Sequence, residues 1–285
     1  MGTVLFFCFS ELLNFGTEKN RTVPIFKNRT VPIFLVSCFL FCYLELPALM
    51  SKFYEETIIK PTPIRDFVGE NALYIPYDLP SRLLQKTIKK LASKEKNTGF
   101  GRLYLLKNKI VLYKSLGAPS AILLLERLIA SGAQEIVILG FCGSLNPKYK
   151  IGQGVSISKA ISEEGTSKHY FSRKRIFYPS SILKNRLERI LHAWNLPFLT
   201  GSLVSTDAPY RETKTWLEQK QKKGIDFVDM EASAVFALAK FHDIQAAALM
   251  IISDELWSGV WKEGFYYPEL EEKIKKYFIP FINQG

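Results

Sequence analysis

The sequence predicts an α/β protein, a single domain built on a mixed, largely parallel central sheet flanked by helices. Three observations lead there. Apolar strand-like runs alternate with helical periodicity over most of residues 50–285, the signature of a sheet covered by helices. One run, Glu135-Ile136-Val137-Ile138-Leu139, is β-branched without polar alternation, as in a strand buried on both faces. Two more runs, ending at Asp229-Met230-Glu231 and at Ser253-Asp254, deliver acidic residues to strand ends, where open α/β sheets place ligands.

Taken in order, Ala72 to Ile75 reads as a short strand. Pro80 to Ser93 reads as a helix with Pro at its start and Leu83, Leu84, Ile88 and Leu91 at helical spacing. Gly101 to Leu106 and Lys109 to Lys114 form a hairpin around Lys107-Asn108. Gly117-Ala118-Pro119-Ser120 opens an apolar helix over Ala121 to Ala130, and Gly132 ends it. The strand from Glu135 runs into a predicted turn, Gly140-Phe141-Cys142-Gly143-Ser144. Then come a strand over Gly154 to Ala160, a helix over Ser180 to Ala193 and a strand over Thr200 to Thr206. A strand over Asp226 to Asp229, a helix over Glu231 to Phe241, a strand over Ala246 to Ser253 and a helix over Pro268 to Phe281 complete the body. No Gly/Ser/Pro-rich linker interrupts it, so residues 50–285 are expected to be one domain.

With 285 residues, 47% of them hydrophobic, the chain is long enough for a substantial core. The formal net charge of +11 suits an anionic ligand or solubility. No basic stripe interleaved with aromatics, zinc-finger spacing or helix-turn-helix signal accompanies it, so nucleic acid is not an expected partner. Of four cysteines, Cys8, Cys38 and Cys42 precede residue 50 and only Cys142 lies in the body. That usage fits a reducing compartment rather than a disulfide framework.

Residues 1–49 look foreign to the rest. Lys19 to Phe26 recur unchanged as Lys27 to Phe34, a repeat too short for a solenoid unit. The apolar stretch 31–44 follows a basic flank, as in a signal peptide, but is short of the ~20 residues of a comfortable span. Met50-Ser51-Lys52 makes an ordinary start. The segment is therefore read as a mis-called start or dispensable extension of a cytoplasmic protein. Membrane anchoring or export through residues 27–49 is the alternative.

The chemistry concentrates in Phe227-Val228-Asp229-Met230-Glu231-Ala232-Ser233-Ala234-Val235, followed by Ile251-Ile252-Ser253-Asp254-Glu255. Taken singly, Glu231 is an acid favoured in a helix's first turn, Asp254 a cap residue, and Met230 core. Together and in order they resemble the nucleoside phosphorylase and nucleosidase superfamily, and the resemblance spans about Leu73 to Asp254. It implies a nucleoside phosphorylase-like fold and cleavage of an N-glycosidic bond through an oxocarbenium-like transition state. Asp254 would then be the general acid that protonates the leaving base. Glu231 would hold the ribose and Met230 would pack on the sugar.

Other elements follow the same resemblance. Ser205-Thr206-Asp207 resembles the element walling the base pocket; Asp207 has an equal alternative reading as a helix cap. Phe141, Cys142 and Gly143 belong to a stretch resembling the glycine-rich turn beneath base and ribose, with Cys142 a small buried residue rather than a nucleophile. Arg82, Arg102 and Ser120 resemble phosphate-site elements, Arg102 as the arginine given by a neighbouring subunit, which implies a homo-oligomer (a dimer or a trimer of dimers). Phosphate would be co-substrate, with no cofactor and no metal.

Three departures weigh on that phosphate site: Ile138 replaces an arginine, Phe141 a hydroxyl residue, and Tyr77 the glycine of a phosphate loop. Water is the alternative nucleophile, and a non-catalytic nucleoside sensor is a third reading. Arg211-Glu212-Thr213-Lys214-Thr215 lacks the Gln with which uridine phosphorylases read uracil, and a Ser-Asp acid is present; both lean to purines. Trp257, Trp261, Phe265, Tyr266 and Tyr267 are expected at an interface or in the pocket.

Overall fold

The computed structural model describes residues 57–283. The expectations for residues 1–49 lie outside them. Residues from Pro61 onward pack as one compact unit; of the unit Met1–Lys60, only 57–60 are described, and they are exposed.

The chain runs β1 (Asn71–Ile75), α1 (Leu83–Leu91), β2 (Lys94–Asn97), β3 (Arg102–Leu105), β4 (Ile110–Tyr113), α2 (Ala118–Ala130), β5 (Glu135–Ser144) and β6 (Gly154–Ser162). It continues through α3 (Ser167–Tyr170), β7 (Ile176–Phe177), α4 (Ser181–Ala193), β8 (Phe198–Ser205), a 3-10 turn (Pro209–Arg211) and α5 (Lys214–Lys222). It ends with β9 (Phe227–Asp229), α6 (Ala232–Phe241), β10 (Gln245–Glu255), β11 (Lys262–Glu263), α7 (Pro268–Tyr277) and α8 (Ile279–Asn283).

One mixed sheet joins all the strands. β1 pairs in parallel with β4 and β5, and β5 with β10. β10 meets β6 antiparallel, β6 and β9 flank β8 in parallel, and β9 returns antiparallel to β5. The pairings β5–β10–β6–β8–β9–β5 close into a ring, so the sheet is an open wing (β2, β3, β4, β1) joined to a small barrel. β5 belongs to both, and its far end lies inside the ring.

Strand alternation sorts the core onto two faces. On β10, Ala246, Ala248, Met250 and Ile252 join the core beneath α2 and α6, while Ala247, Leu249 and Ile251 join the core beneath α1, α4, α7 and α8. This is why that run is apolar at every position. Helix α6 is apolar on nearly every side, with Ala232 to Ala239 all buried, as a helix enclosed by sheet and helices must be.

Several boundaries differ from expectation. The predicted turn Gly140–Ser144 is strand: β5 continues beside β10 with Gly140 opposite Met250 and Gly143 opposite Asp254. The glycines serve close packing instead. A Cβ at Gly140 would stand 2.8 Å from Met250 Sδ. Helix α1 starts at Leu83, three residues after Pro80, because Arg82 takes a left-handed conformation with φ 55°. The closing helix breaks at Phe278, two residues before Pro280, whose ring cannot continue the ladder. The polar α5 and the exposed edge strand β2 escape a reading based on apolar period; α5 buries only Leu217 and Lys220.

Candidate active site

Helix α6 and strand β10 bring the acidic residues together at one end of the ring. Asp229, the last residue of β9, caps α6: its Oδ2 accepts the Ala232 N–H at 2.8 Å, and its Oδ1 accepts the Ser205 hydroxyl at 2.6 Å. Capping is thus done two residues upstream of Glu231. Glu231, the N-cap position itself, makes no capping bond with its side chain. Its Oε1 instead accepts the Gly117 N–H at 2.7 Å, from the loop before α2. Burial, with the charge of Asp229 beside it, pushes the Glu231 carboxyl well above the carboxylate range. Burial also raises Asp229, against the pull of its Ser205 and backbone hydrogen bonds.

A bulge places Asp254. The β5–β10 register shifts between Ile252 and Asp254, leaving Ser253 as the extra residue. Ser253 turns inward; its hydroxyl donates to Asp254 Oδ1 at 2.6 Å, and the Trp261 indole N–H donates to Oδ2 at 2.9 Å. Burial raises the Asp254 carboxyl, with these two hydrogen bonds opposing the rise. Across the strand pair, Gly143 makes room for it: a Cβ there would stand 2.6 Å from Leu256 Cδ1 and 3.1 Å from Asp254 Oδ2.

Both carboxyls face one cavity of about 500 Å³. Met230, Phe141, Cys142 and Gly143 line it too, as do Tyr77, Tyr210, Trp261, Phe265 and Tyr266. Of the five aromatic residues expected at an interface or pocket, Trp257 and Tyr267 are outside the lining; the Trp257 indole donates to Glu255. The Cys142 thiol is held protonated by burial and by the nearby Asp254 and Asp229, which suits a wall rather than a nucleophile.

The other expected site residues lie elsewhere in this chain. Ser205 is buried behind the wall, giving its proton to Asp229 and accepting the Ser233 N–H at 2.9 Å. Asp207 is exposed and neither walls the cavity nor caps the turn that follows; it accepts the Gly165 N–H at 2.7 Å, tying two loops. Arg82 is exposed at the start of α1. Arg102 pairs on the surface with Glu95 at 2.8 Å. The Ser120 hydroxyl bonds Ser115 Oγ and the Phe100 carbonyl.

The three departures from a phosphate site have a spatial logic. Ile138 is core. Tyr77 and Phe141 stand against each other, centroids 6.4 Å apart, and both pack on Phe265. Beside them, buried Asp78 accepts the N–H groups of Leu79 and Gln85 and the Tyr113 hydroxyl, so it occupies the donors at the start of α1. No Lys, Arg or His is among the residues lining the cavity. Among the described residues, no three His, Cys, Asp or Glu side chains gather as a metal site.

Sequence reasoning passed over Asp229 as a strand end and saw Glu212 only as a missing Gln. Glu212 lines the cavity; burial and the charge of Asp254 lift its carboxyl to about 7. Glu263, paired with Asp254 across β10–β11, is a further acidic residue of the wall. Its signal is tertiary, since β11 is two residues long.

Residues 83–275 match the model of the phosphorylase superfamily. The chain belongs to that superfamily. Among curated proteins it is 31% identical over 163 residues to the guanosine phosphorylase of Halorubrum lacusprofundi, a match covering 56% of this chain and 66% of that relative, just under two thirds of its length. It is 24% identical over 214 residues to the DeoD-type 2 purine nucleoside phosphorylase of Aliivibrio fischeri, covering 72% of this chain and 84% of that one. The fold matches the purine nucleoside phosphorylase of Toxoplasma gondii crystallised with immucillin-H: TM-score 0.64 at 18% identity, over 80% of this chain and 96% of that one. It also matches a Vibrio fischeri uridine phosphorylase: TM-score 0.63 at 20% identity, over 80% and 97%.

Proposed function

We propose that this chain cleaves the N-glycosidic bond of a purine nucleoside by phosphorolysis, giving free base and ribose 1-phosphate in nucleoside salvage. The observation that carries the reading is that Asp254 and Glu231 come from different elements yet face one aromatic-walled cavity. Asp254 is the proton donor. Burial raises its carboxyl, favouring the protonated form, while the Ser253 hydroxyl and the Trp261 N–H hold its two oxygens in place. Donation to a ring nitrogen lets the base leave neutral. Glu231 accepts a ribose hydroxyl and supports the positive charge that grows on the sugar. Phe141, Phe265 and Met230 offer apolar faces for the rings of the ligand.

Phosphate as the nucleophile is supported by membership of the phosphorylase superfamily and by relatives named phosphorylases. Water is favoured instead by the aromatic Tyr77–Phe141 pair and a lining without a cation. Release of free base from inosine, guanosine and adenosine, followed with and without inorganic phosphate, decides between them. Phosphate dependence with ribose 1-phosphate as product is the expected outcome; equal release without phosphate replaces phosphorolysis with hydrolysis. No base released from any nucleoside removes the enzymatic reading. We read the enzyme as a cytoplasmic homo-oligomer; that Cys142 is the one cysteine of residues 50–285 supports a reducing compartment.

A further inference from the structure

We propose that Glu164, a buried acid outside the cavity, is a positioning residue: through Ser233 it holds the first turn of α6 and so sets where Glu231 meets the sugar. This role rests on Glu231 being the ribose carboxylate proposed above. Glu164 lies in the loop between β6 and α3 and is 2% exposed. It accepts five hydrogen bonds. Its Oε2 takes the Thr166 N–H at 2.5 Å and the Ser167 N–H at 3.0 Å, which is local work at the start of α3. Its Oε1 takes the hydroxyls of Ser162 at 2.8 Å and of Ser167, and also that of Ser233 at 3.0 Å, from α6 and 69 residues away in the chain. Burial pushes this carboxyl up, but the hydrogen bonds from Ser167, Ser162 and Ser233 outweigh it and hold it below the ordinary glutamate value. Donors aimed at a carboxylate favour its charged form.

The path from Glu164 to Glu231 is short. Glu231 stands at the N-cap of α6 with φ −141° and ψ −32°, outside the helix, so its aim depends on how the first turn is held. The residues two places to either side hold it. Asp229 takes the Ala232 N–H. Ser233 is fixed twice: its N–H donates to Ser205 Oγ at 2.9 Å, and its hydroxyl donates to Glu164. Ser205 in turn donates to Asp229, so hydrogen bonds link Glu164, Ser233, Ser205 and Asp229 behind the turn that carries Glu231. Between Ala232 and Ala239, all buried, Ser233 has the one polar side chain. A buried hydroxyl is unfavourable without a partner, and Glu164 is that partner. Misplacing a catalytic group by about 1 Å is enough to cost roughly 100-fold in rate.

Two variants test this. In Glu164→Gln the amide oxygen can face the two backbone N–H groups and the NH2 the hydroxyls, which turn to accept, so the loop is kept while the hold on Ser233 weakens. Ser233→Ala removes only the bond to α6. For each, for Glu231→Gln and for the double variants with Glu231→Gln, kcat/KM is measured on guanosine and 2′-deoxyguanosine, with melting curves alongside. Glu164→Gln and Ser233→Ala should each lose about tenfold or more on guanosine and far less on 2′-deoxyguanosine. Each double variant should match Glu231→Gln to within about twofold, since Glu164 acts through Glu231. With Glu231→Gln selective for guanosine, losses that add, or that fall equally on both sugars, overturn the inference. Should Glu164→Gln not melt cooperatively, Ser233→Ala decides in its place. If Glu231→Gln loses equally on both sugars, the ribose contact is what fails, and additivity alone decides the positioning role. Wild type that turns over neither nucleoside removes the enzymatic reading; the same cycle in guanosine affinity by calorimetry then upholds or overturns the hold on Glu231, and no binding removes both.

Discussion

At the scale of single residues, the site depends on carboxyls kept out of water. Asp254→Asn keeps the shape and the Trp261 contact but has no acidic proton to give. Purine nucleoside turnover should fall by about 100-fold or more with an unchanged melting curve; wild-type turnover in the variant would remove Asp254 from the mechanism. Glu231→Gln has two expected readouts. Turnover of ribosides should fall far more than that of 2′-deoxyribosides, since the 2′-hydroxyl is the proposed partner, and an equal loss on both would place Glu231 elsewhere. The second readout is stability. A carboxyl raised by burial is more protonated in the folded than in the unfolded state, so its contribution is full below the ordinary glutamate pKa and is lost as pH rises through the folded value. Removing that burden should raise the melting temperature by roughly 2–4 °C at pH 9, with a smaller change at pH 5. The opposite ordering of the two pH values would mean that Glu231 is ionised and stabilising in the fold.

At the scale of elements, the active geometry is made by irregularities. The β10 bulge gives Ser253 to the interior and aims Asp254 at the cavity. Strand β5 accommodates this only because Gly143 has no side chain. Gly143→Ala puts a methyl group against Leu256 and Asp254. Leu256 can shift, but the acid must move by a few tenths of an ångström. Turnover should drop by about tenfold or more while stability falls by only ~1–3 kcal/mol, the usual cost of an added methyl in a packed site. Activity lost only in proportion to unfolded protein would show that Gly143 serves packing alone. Helix α6 shows a similar division of labour. Asp229 caps it and Ser205 steadies Asp229, which frees Glu231 from a structural task.

At the scale of the molecule, the cavity as built by one chain is acidic and aromatic, and the arginines expected at phosphate lie on the surface. Arg102 is half-exposed and held by Glu95 in a pair of the kind worth little in water. If a neighbouring subunit carries its Arg102 to this cavity, light scattering should show at least a dimer at working concentration. Arg102→Ala should then raise the phosphate concentration needed for half-maximal rate and leave assembly intact, since an exposed guanidinium adds charge-assisted bonds rather than packing. A monomer would remove the shared site. Phosphate-independent turnover in wild type and variant alike would turn the chemistry to hydrolysis.

The sequence by itself determined the fold class, the buried strands and the pair Glu231 and Asp254. Those depend on local signals: β-branched runs, and an acid directly after a strand. Asp229, Glu212 and Glu263 were not legible, because an acid after a turn or on a two-residue strand looks like any solvated acid until a cavity forms beside it. The apolar period that marked α1, α2 and α4 is missing from α5, which meets the body mainly through Leu217 and the buried Lys220, paired with Glu163. The glycines of β5 read as a turn because glycine's freedom is local knowledge, while the reason for them, Met250 and Leu256 across the sheet, is not. Tertiary structure alone decided that Tyr77 and Phe141 fill one corner together, that Ser205 serves Asp229, and that Asp207 ties a loop. Each depends on which residues far apart in the chain become neighbours, and pairing across the ring of strands sets that.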